Sequence, residues 1–555
     1  MNLPRPTPAL VTQRGAQRLP RFALWALCAA WVVPGWLGRD PWRNADVTAF
    51  GIMSAMAQGR SDWWQPSLGG VAVAGAPLPH WIGAFFIHLL SPWVDPTLAV
   101  RIPFALLLAL TMAAVWYATF HLARTEAAQP VAFAFGGEAS TVDYARAIAD
   151  GALLALIATL GLVHLGHEIT PEIVQTAAVA ATLWALAAAP YRSWQTRWVT
   201  LCTLCVLSIS GAPFVACALG IVGGWVCWRS TYPGVRGLAF WLWGATAVAA
   251  AMAAASHAWV WRFALTGSLE QTSQMVRMWA WFMWPAWPLA GLTLWRWRRQ
   301  WLNRHVAVPG SAVLILFVVS IWMGGSDRAL LLALPGLAIL AAFALPTLKR
   351  AASAGIDWFS MFFFTLAAAF IWAMYIAMTT GHPGQWAANI KRLAPGFETS
   401  VDGFSLALAA LATGAWFALI RWRTGRHQHP LWKSMALPAG GVALCWMLLM
   451  TLWLPLLDFA RSSRPGIDRV LPYVGTPPCV AAPTFSLAMV ASWETLAKIP
   501  VDARAGAEKT TRCPVLVQVS RTGTAVQIPA GWVWVGEAVR PTDRTERVSV
   551  YRRAD

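Results

Sequence analysis

Two kinds of side chain in this sequence could do chemistry together: carboxylates and arginines placed where long apolar runs give way to polar residues. Asp46 follows the first such run, in NADVTAFGI; His167, Glu168 and Glu172 occupy GHEITPE; and Arg101, Arg262 and Arg328 stand at the ends of further runs. A carboxylate within reach of a hydroxyl can take its proton, which is general-base work. An arginine can hold a phosphate through paired hydrogen bonds and neutralise charge as the phosphate leaves. Carboxylates facing arginines at one membrane surface therefore suit transfer of a sugar from a phosphate-linked lipid. Asp46, Glu172 and Glu168 are the catalytic candidates, Arg328, Arg262 and Arg101 the phosphate contacts, and His167, Arg43 and His80 the remaining polar candidates. Plainer roles stand beside these. Asp46 could be a loop acid or a helix N-cap, Glu172 behind Pro171 a helix-start acid, Arg328 a snorkelling anchor, and His167 a structural core group.

The elements that must position these residues are membrane spans. The chain has 555 residues, 58% hydrophobic and 12% charged, with a mean hydropathy of +0.53. Apolar runs of spanning length recur from Phe22 to Trp453, so the fold class is a polytopic α-helical membrane protein. The formal charge of +18 is spread through the loops between runs, as the positive-inside rule requires, and does not gather into a nucleic-acid groove. Arg5, Arg14, Arg18 and Arg21 lead straight into FALWALCAAWVVPGWL, which reads as an uncleaved anchor with a cytoplasmic N-terminus. From there the loop charges predict about thirteen spans, with the N-terminus inside and the C-terminus outside a bacterial inner (cytoplasmic) membrane. The membrane region covers residues 1–457. Its first periplasmic loop, 38–99, holds a surface-lying helix over Val47–Gln58 and an interfacial one over Leu78–Leu90, with Trp63, Trp64, Trp81 and Trp93 at headgroup level. The stretch Leu122–Asp150 reads as a long inner loop.

Past Pro455 the pattern changes. Residues 458–555 carry alternating runs, PVLVQVSR, GWVWVGEAV and RVSVYRR, and one helical run, LAMVASWETLAK, which predict a small α/β periplasmic domain. Six of the eight cysteines lie in apolar runs. The CTLC pair, Cys202 and Cys205, has no second pair or histidine beside it and reads as inert. Cys479 and Cys513 fall in the polar domain and are candidates for a disulfide.

NADVTAFGI, then GAPLPHW, then AVRIPFALL, and further on SDRALLLALPGLAIL, resemble the GT-C membrane glycosyltransferases. Within them the likeness is to the aminoarabinose-to-lipid-A transferases and the bacterial relatives of the protein mannosyltransferases. The resemblance implies an enzyme that takes a sugar from a polyprenyl-monophosphate donor and passes it, with inversion, to a lipid, glycan or protein acceptor. It places Asp46 on the family's catalytic aspartate of the first loop, Glu172 or Glu168 near a second acidic site, and Arg328 and Arg262 near the donor phosphate. The chain departs from the family where Val47 replaces a glutamate and where Gly75-Ala76-Pro77 replaces Lys-Pro-Pro. The first change removes an oxygen ligand for a divalent metal, the one cofactor in view; the second removes a phosphate contact. A transporter or flippase is the rival from another class, and paired repeats with charges near the bilayer midplane would mark one. A non-catalytic assembly protein is the other rival, and it should tolerate Asp46→Asn.

Overall fold

Glycines, prolines and charged loop ends cut the apolar sequence into helices, and the computed structural model has helices along most of the chain. It describes residues 7–42, 44–232, 234–260, 269–425, 430–523 and 528–554. Among these, six helices are long and apolar enough to cross a membrane: Pro96–Ala123, Pro171–Ala188, Val235–Ala255, Arg304–Trp322, Arg350–Thr380 and Gly403–Thr424. The pair Lys433–Leu449 and Leu454–Arg461, bent by 72°, makes a seventh if counted as one span. Shorter apolar helices, including Arg21–Val32, Pro77–Leu90 and Pro213–Trp228, lie between them. Helices dominate because backbone amides in a lipid core must be satisfied within the segment.

The chain divides into two compact units. The first comprises Met1–Pro34, Phe104–Ala369 and Leu408–Leu448. Within it, helices Ser193–Ile209, Pro213–Trp228 and Val235–Ala255 pack on one another. Small residues allow the approach: a Cβ on Gly220 would fall 1.9 Å from Thr246 Oγ1. The stretch expected as a long inner loop holds a helix, Thr141–Ala158, that begins ten residues before the apolar run at Gly151. Ser140 caps it by accepting from the Asp143 amide at 3.3 Å. Asp150, which reads as a loop charge in the sequence, is buried in that helix and accepts from the Leu19 amide at 3.0 Å and Trp116 Nε1 at 2.8 Å. Partners distant in sequence turned a loop signal into a helix.

The second unit comprises Gly35–Pro103, Phe370–Ala407 and Leu449–Asp555. It contains a five-stranded sheet in the order Val501–Asp502, Val480–Ala481, Val515–Arg521, Asp543–Arg553, Trp532–Arg540. The first three strands are parallel and the last two join antiparallel. Cys479 and Cys513 are bonded, with Cα atoms 5.2 Å apart. The helix that carries Asp46 runs Ala45–Ala57 and is buried along nearly its whole length, so it does not lie on a surface. Its apolar residues surround the axis rather than forming one stripe, which is the pattern of an enclosed helix. It packs on Leu487–Ser492, and Gly51 makes the contact possible: a Cβ there would sit 2.5 Å from Ala491 Cβ and 2.9 Å from its Cα. Val47, Ile52 and Met56 thereby join Val480, Val490, Val517 and Val550 in one core.

Candidate functional site

Asp46 lies in the first turn of its helix and is only 1% exposed. Its Oδ2 accepts from Arg39 Nη1 at 2.9 Å and from the Trp42 amide at 3.1 Å. Both side chains of the pair are buried, and the Arg39 guanidinium also donates from Nε to the Gly35 carbonyl and lies 4.5 Å from the Trp42 ring centre. The loop that shapes this pair turns at Gly38, whose φ of +70° suits glycine.

The same loop is anchored to the region after residue 453. Arg464 grips Asp40 with two parallel bonds of 2.9 and 2.8 Å, and Ser462 Oγ donates to Asp40 at 2.7 Å. Asp458 Oδ1 accepts from the Asp40 amide at 3.0 Å and from Trp42 Nε1 at 2.9 Å. Burial works to raise the Asp40 carboxyl, but the hydrogen bonds from Arg464 and Ser462 outweigh it and hold the group below its ordinary 3.8. Arg101 belongs to this unit as well. It is 3% exposed, donates from Nη1 to the Trp36 carbonyl at 3.2 Å, and its buried Nη2 has no hydrogen-bond partner among the described residues. A guanidinium with an unfilled donor can take an oxyanion. His80 cannot serve as a cation at neutral pH, because burial pushes it down to about 4.

The sequence candidates of the first unit form a cluster of their own. Arg328 Nη2 meets Glu168 Oε2 at 2.6 Å, while its Nη1 lies 3.4 Å from Thr170 Oγ1 and 3.5 Å from Glu172 Oε2. His164 Nδ1 is 3.5 Å from Glu168 Oε1. Ser326 caps the short Asp327–Leu331 helix that presents Arg328, and Pro171 starts the Pro171–Ala188 helix that presents Glu172. Burial works against the Arg328 charge, yet Glu168 and Glu172 outweigh it and raise the pKa above the ordinary value. His167 stands apart from the carboxylates: its two ring nitrogens face the Val163 and Trp31 carbonyls at 2.6 and 3.1 Å, and its ring packs on Trp31 and Trp446.

Arg43 and Arg262 lie outside the described residues. No group of three or more histidine, cysteine, aspartate or glutamate side chains that could hold a metal ion occurs among the described residues. Sequence reasoning missed Arg39, Asp40, Asp458 and Arg464. The available signal was that acid and base follow the first apolar run, in GRDPW, as they follow the last, in LLDFARSSR.

No family model and no curated protein sequence matches the chain. Solved structures do match along its length, among them ArnT from Cupriavidus metallidurans bound to undecaprenyl phosphate and the same protein in the apo state. For each the TM-score is 0.62 at 14% identity, covering 96% of this chain and 97% of the other. The chain thus shares the fold of these ArnT structures and is a polytopic helical membrane protein.

Proposed function

We propose that this chain is an inverting glycosyltransferase of the bacterial inner membrane. It would move a sugar from a polyprenyl monophosphate to an envelope acceptor (lipid A, glycan or protein) at the periplasmic face. The observation that carries this reading is the fold, shared along the whole chain with an ArnT that binds undecaprenyl phosphate. In this topology the chain crosses the membrane in about thirteen spans, the N-terminus is cytoplasmic, and the domain after residue 457 is periplasmic.

Asp46 is the base. Its carboxylate takes the proton of the acceptor hydroxyl, the oxygen attacks the anomeric carbon from the face opposite the phosphate, and the carbon–oxygen bond to phosphate breaks. The leaving phosphate keeps that electron pair, and arginine neutralises it. Arg101 supports this role with its unfilled buried Nη2; Arg328, the other phosphate candidate, would have to exchange Glu168 and Glu172 for the phosphate. Asp46 Oδ2 is held ready by Arg39 and by the Trp42 amide.

The test is mass spectrometry of lipids and envelope glycans from a deletion strain complemented with wild type or Asp46→Asn. Accumulation of a polyprenyl-phosphate sugar and loss of one glycan residue, rescued by wild type alone, is the expected result. Equal rescue by Asp46→Asn would overturn the enzyme reading in favour of an assembly role.

A further inference from the structure

A cavity of about 480 Å³ opens within the second unit, in the size range of small-molecule sites. We infer that it is a saccharide-binding cleft for the acceptor, selective for neutral or amino-bearing sugars over phosphorylated ones. The inference rests on the transferase reading above and adds the acceptor's class and its seat.

The construction follows from the strand register. Val519 pairs with Val548, and Val548 with Ala538, so three small apolar side chains form one cross-strand row as a floor. Ser463, Gly466, Ile467 and Val470 recur at helical spacing and present one face of Arg464–Val474 as a wall. Thr484 and Ser486, whose hydroxyl oxygens accept from the Val519 and Met489 amides at 2.9 and 3.4 Å, add hydroxyls on another side, while the Ser492 hydroxyl is committed to Ser463 Oγ and the Ala488 carbonyl. A pyranose has carbon-rich faces and a rim of hydroxyls, and an apolar floor inside a hydroxyl-bearing wall matches both.

Charge selects among sugars. Three charged residues line the cavity: Arg540, Asp543 and Glu546. Arg540 Nη2 is committed to the Ala460 and Ser462 carbonyls at 2.8 and 2.6 Å, and Nε to Thr542 Oγ1 at 3.1 Å. Asp543 Oδ1 accepts from the Thr545 amide and Oγ1 at 3.1 and 2.6 Å, so it keeps its charge but not that oxygen, and Glu546 is exposed; two acids against one cation disfavour phosphate and favour an amine. At the other end the cavity reaches Asn44, two residues before Asp46. Asn44 is exposed and makes no capping bond with its side chain, so its amide is available to a sugar hydroxyl.

The test uses full-length protein in nanodiscs with three probes: a glucose trisaccharide, a glucosamine trisaccharide and a glucose trisaccharide monophosphate. Gly466→Phe fills the cleft. A Cβ at Gly466 meets only the Arg540 side chain, at an ordinary contact distance of 3.6 Å, with no backbone atom among its nearest neighbours. The glucose and glucosamine probes should bind wild type, the phosphorylated one more weakly, and Gly466→Phe should weaken both by about tenfold or more. Glu546→Gln, an exposed change that leaves packing intact, should cut the preference for the glucosamine probe by about threefold. Binding by none of the probes, tightest binding of the phosphorylated one, or unchanged binding by Gly466→Phe would each overturn the inference. The two readings separate cleanly. Saccharide binding by a wild-type protein that transfers no sugar removes the transferase and leaves the cleft. Transfer with an unchanged acceptor KM in Gly466→Phe removes the cleft and leaves the transferase.

Discussion

Asp46 and Arg39 form the pair on which the proposed chemistry turns, and two substitutions separate its structural from its chemical contribution. In Asp46→Asn the side-chain oxygen can still accept from Arg39 and the Trp42 amide, so both hydrogen bonds of 2.9 and 3.1 Å survive in outline. What is lost is the charge opposite a buried guanidinium, and with the hydrogen bonds kept the cost should be about 1–3 kcal/mol. In Arg39→Met the carboxylate loses this buried cation, and breaking a buried pair costs about 3–5 kcal/mol. Removing both members of the pair, as Arg39→Met with Asp46→Leu, should recover part of that loss. Transfer behaves differently. Loss of a general base slows turnover by about 10²–10⁴-fold, which at ~1.4 kcal/mol per tenfold is roughly 3–6 kcal/mol in the barrier. The assay pairs thermal unfolding in detergent with single-turnover transfer from a polyprenyl-phosphate sugar. The double variant should be more stable than Arg39→Met yet as inactive as Asp46→Asn. Strictly additive stabilities would refute the buried pair, and an Asp46→Asn rate within about threefold of wild type would remove the base.

Three further outcomes are expected. Arg328→Ala should weaken donor binding by about 10–100-fold, the worth of one charge-assisted bond to phosphate, with acceptor KM unchanged; equal donor affinity by titration calorimetry would reduce Arg328 to an ion-pair partner of Glu168. Asp40→Asn should lose stability most at neutral pH. Because the folded carboxyl lies below its ordinary 3.8, its contribution is fully present above that value and is lost as pH falls further through the folded pKa. Unfolding of wild type and variant should therefore differ by a constant amount from pH 7 to 5 and converge in stronger acid; a gap that persists there would discount the Arg464 grip. Gly51→Ala should destabilise by about 1–3 kcal/mol, since the new methyl meets Ala491 through backbone as well as side chain; a neutral effect in a thermal melt would show that the two helices part easily.

Much of the framework was legible in the sequence because it depends on local pattern. Long apolar runs bounded by arginine mark membrane helices whatever they pack against. Alternation in PVLVQVSR and RVSVYRR marks strands because side chains alternate across a sheet, and these became the central pair Val515–Arg521 and Asp543–Arg553. The Pro171 start of the helix bearing Glu172 was legible for the same reason. The sequence placed Asp46 at a helix start, and its helix begins one residue earlier, at Ala45.

What tertiary structure alone decided is which charges meet. Arg464 lies 424 residues from Asp40, and Asp458 is 418 residues from it; no local rule links them. Burial was equally invisible. Ala45–Ala57 looked able to float on a membrane surface, yet Gly51 lets it close on Leu487–Ser492 and disappear into a core. Asp150 looked like a loop charge until Leu19 and Trp116 supplied donors for it. Local pattern specifies the period and polarity of a segment, because those follow from backbone geometry and solvent. Partner choice depends on contacts between distant segments, and only the folded chain brings those together.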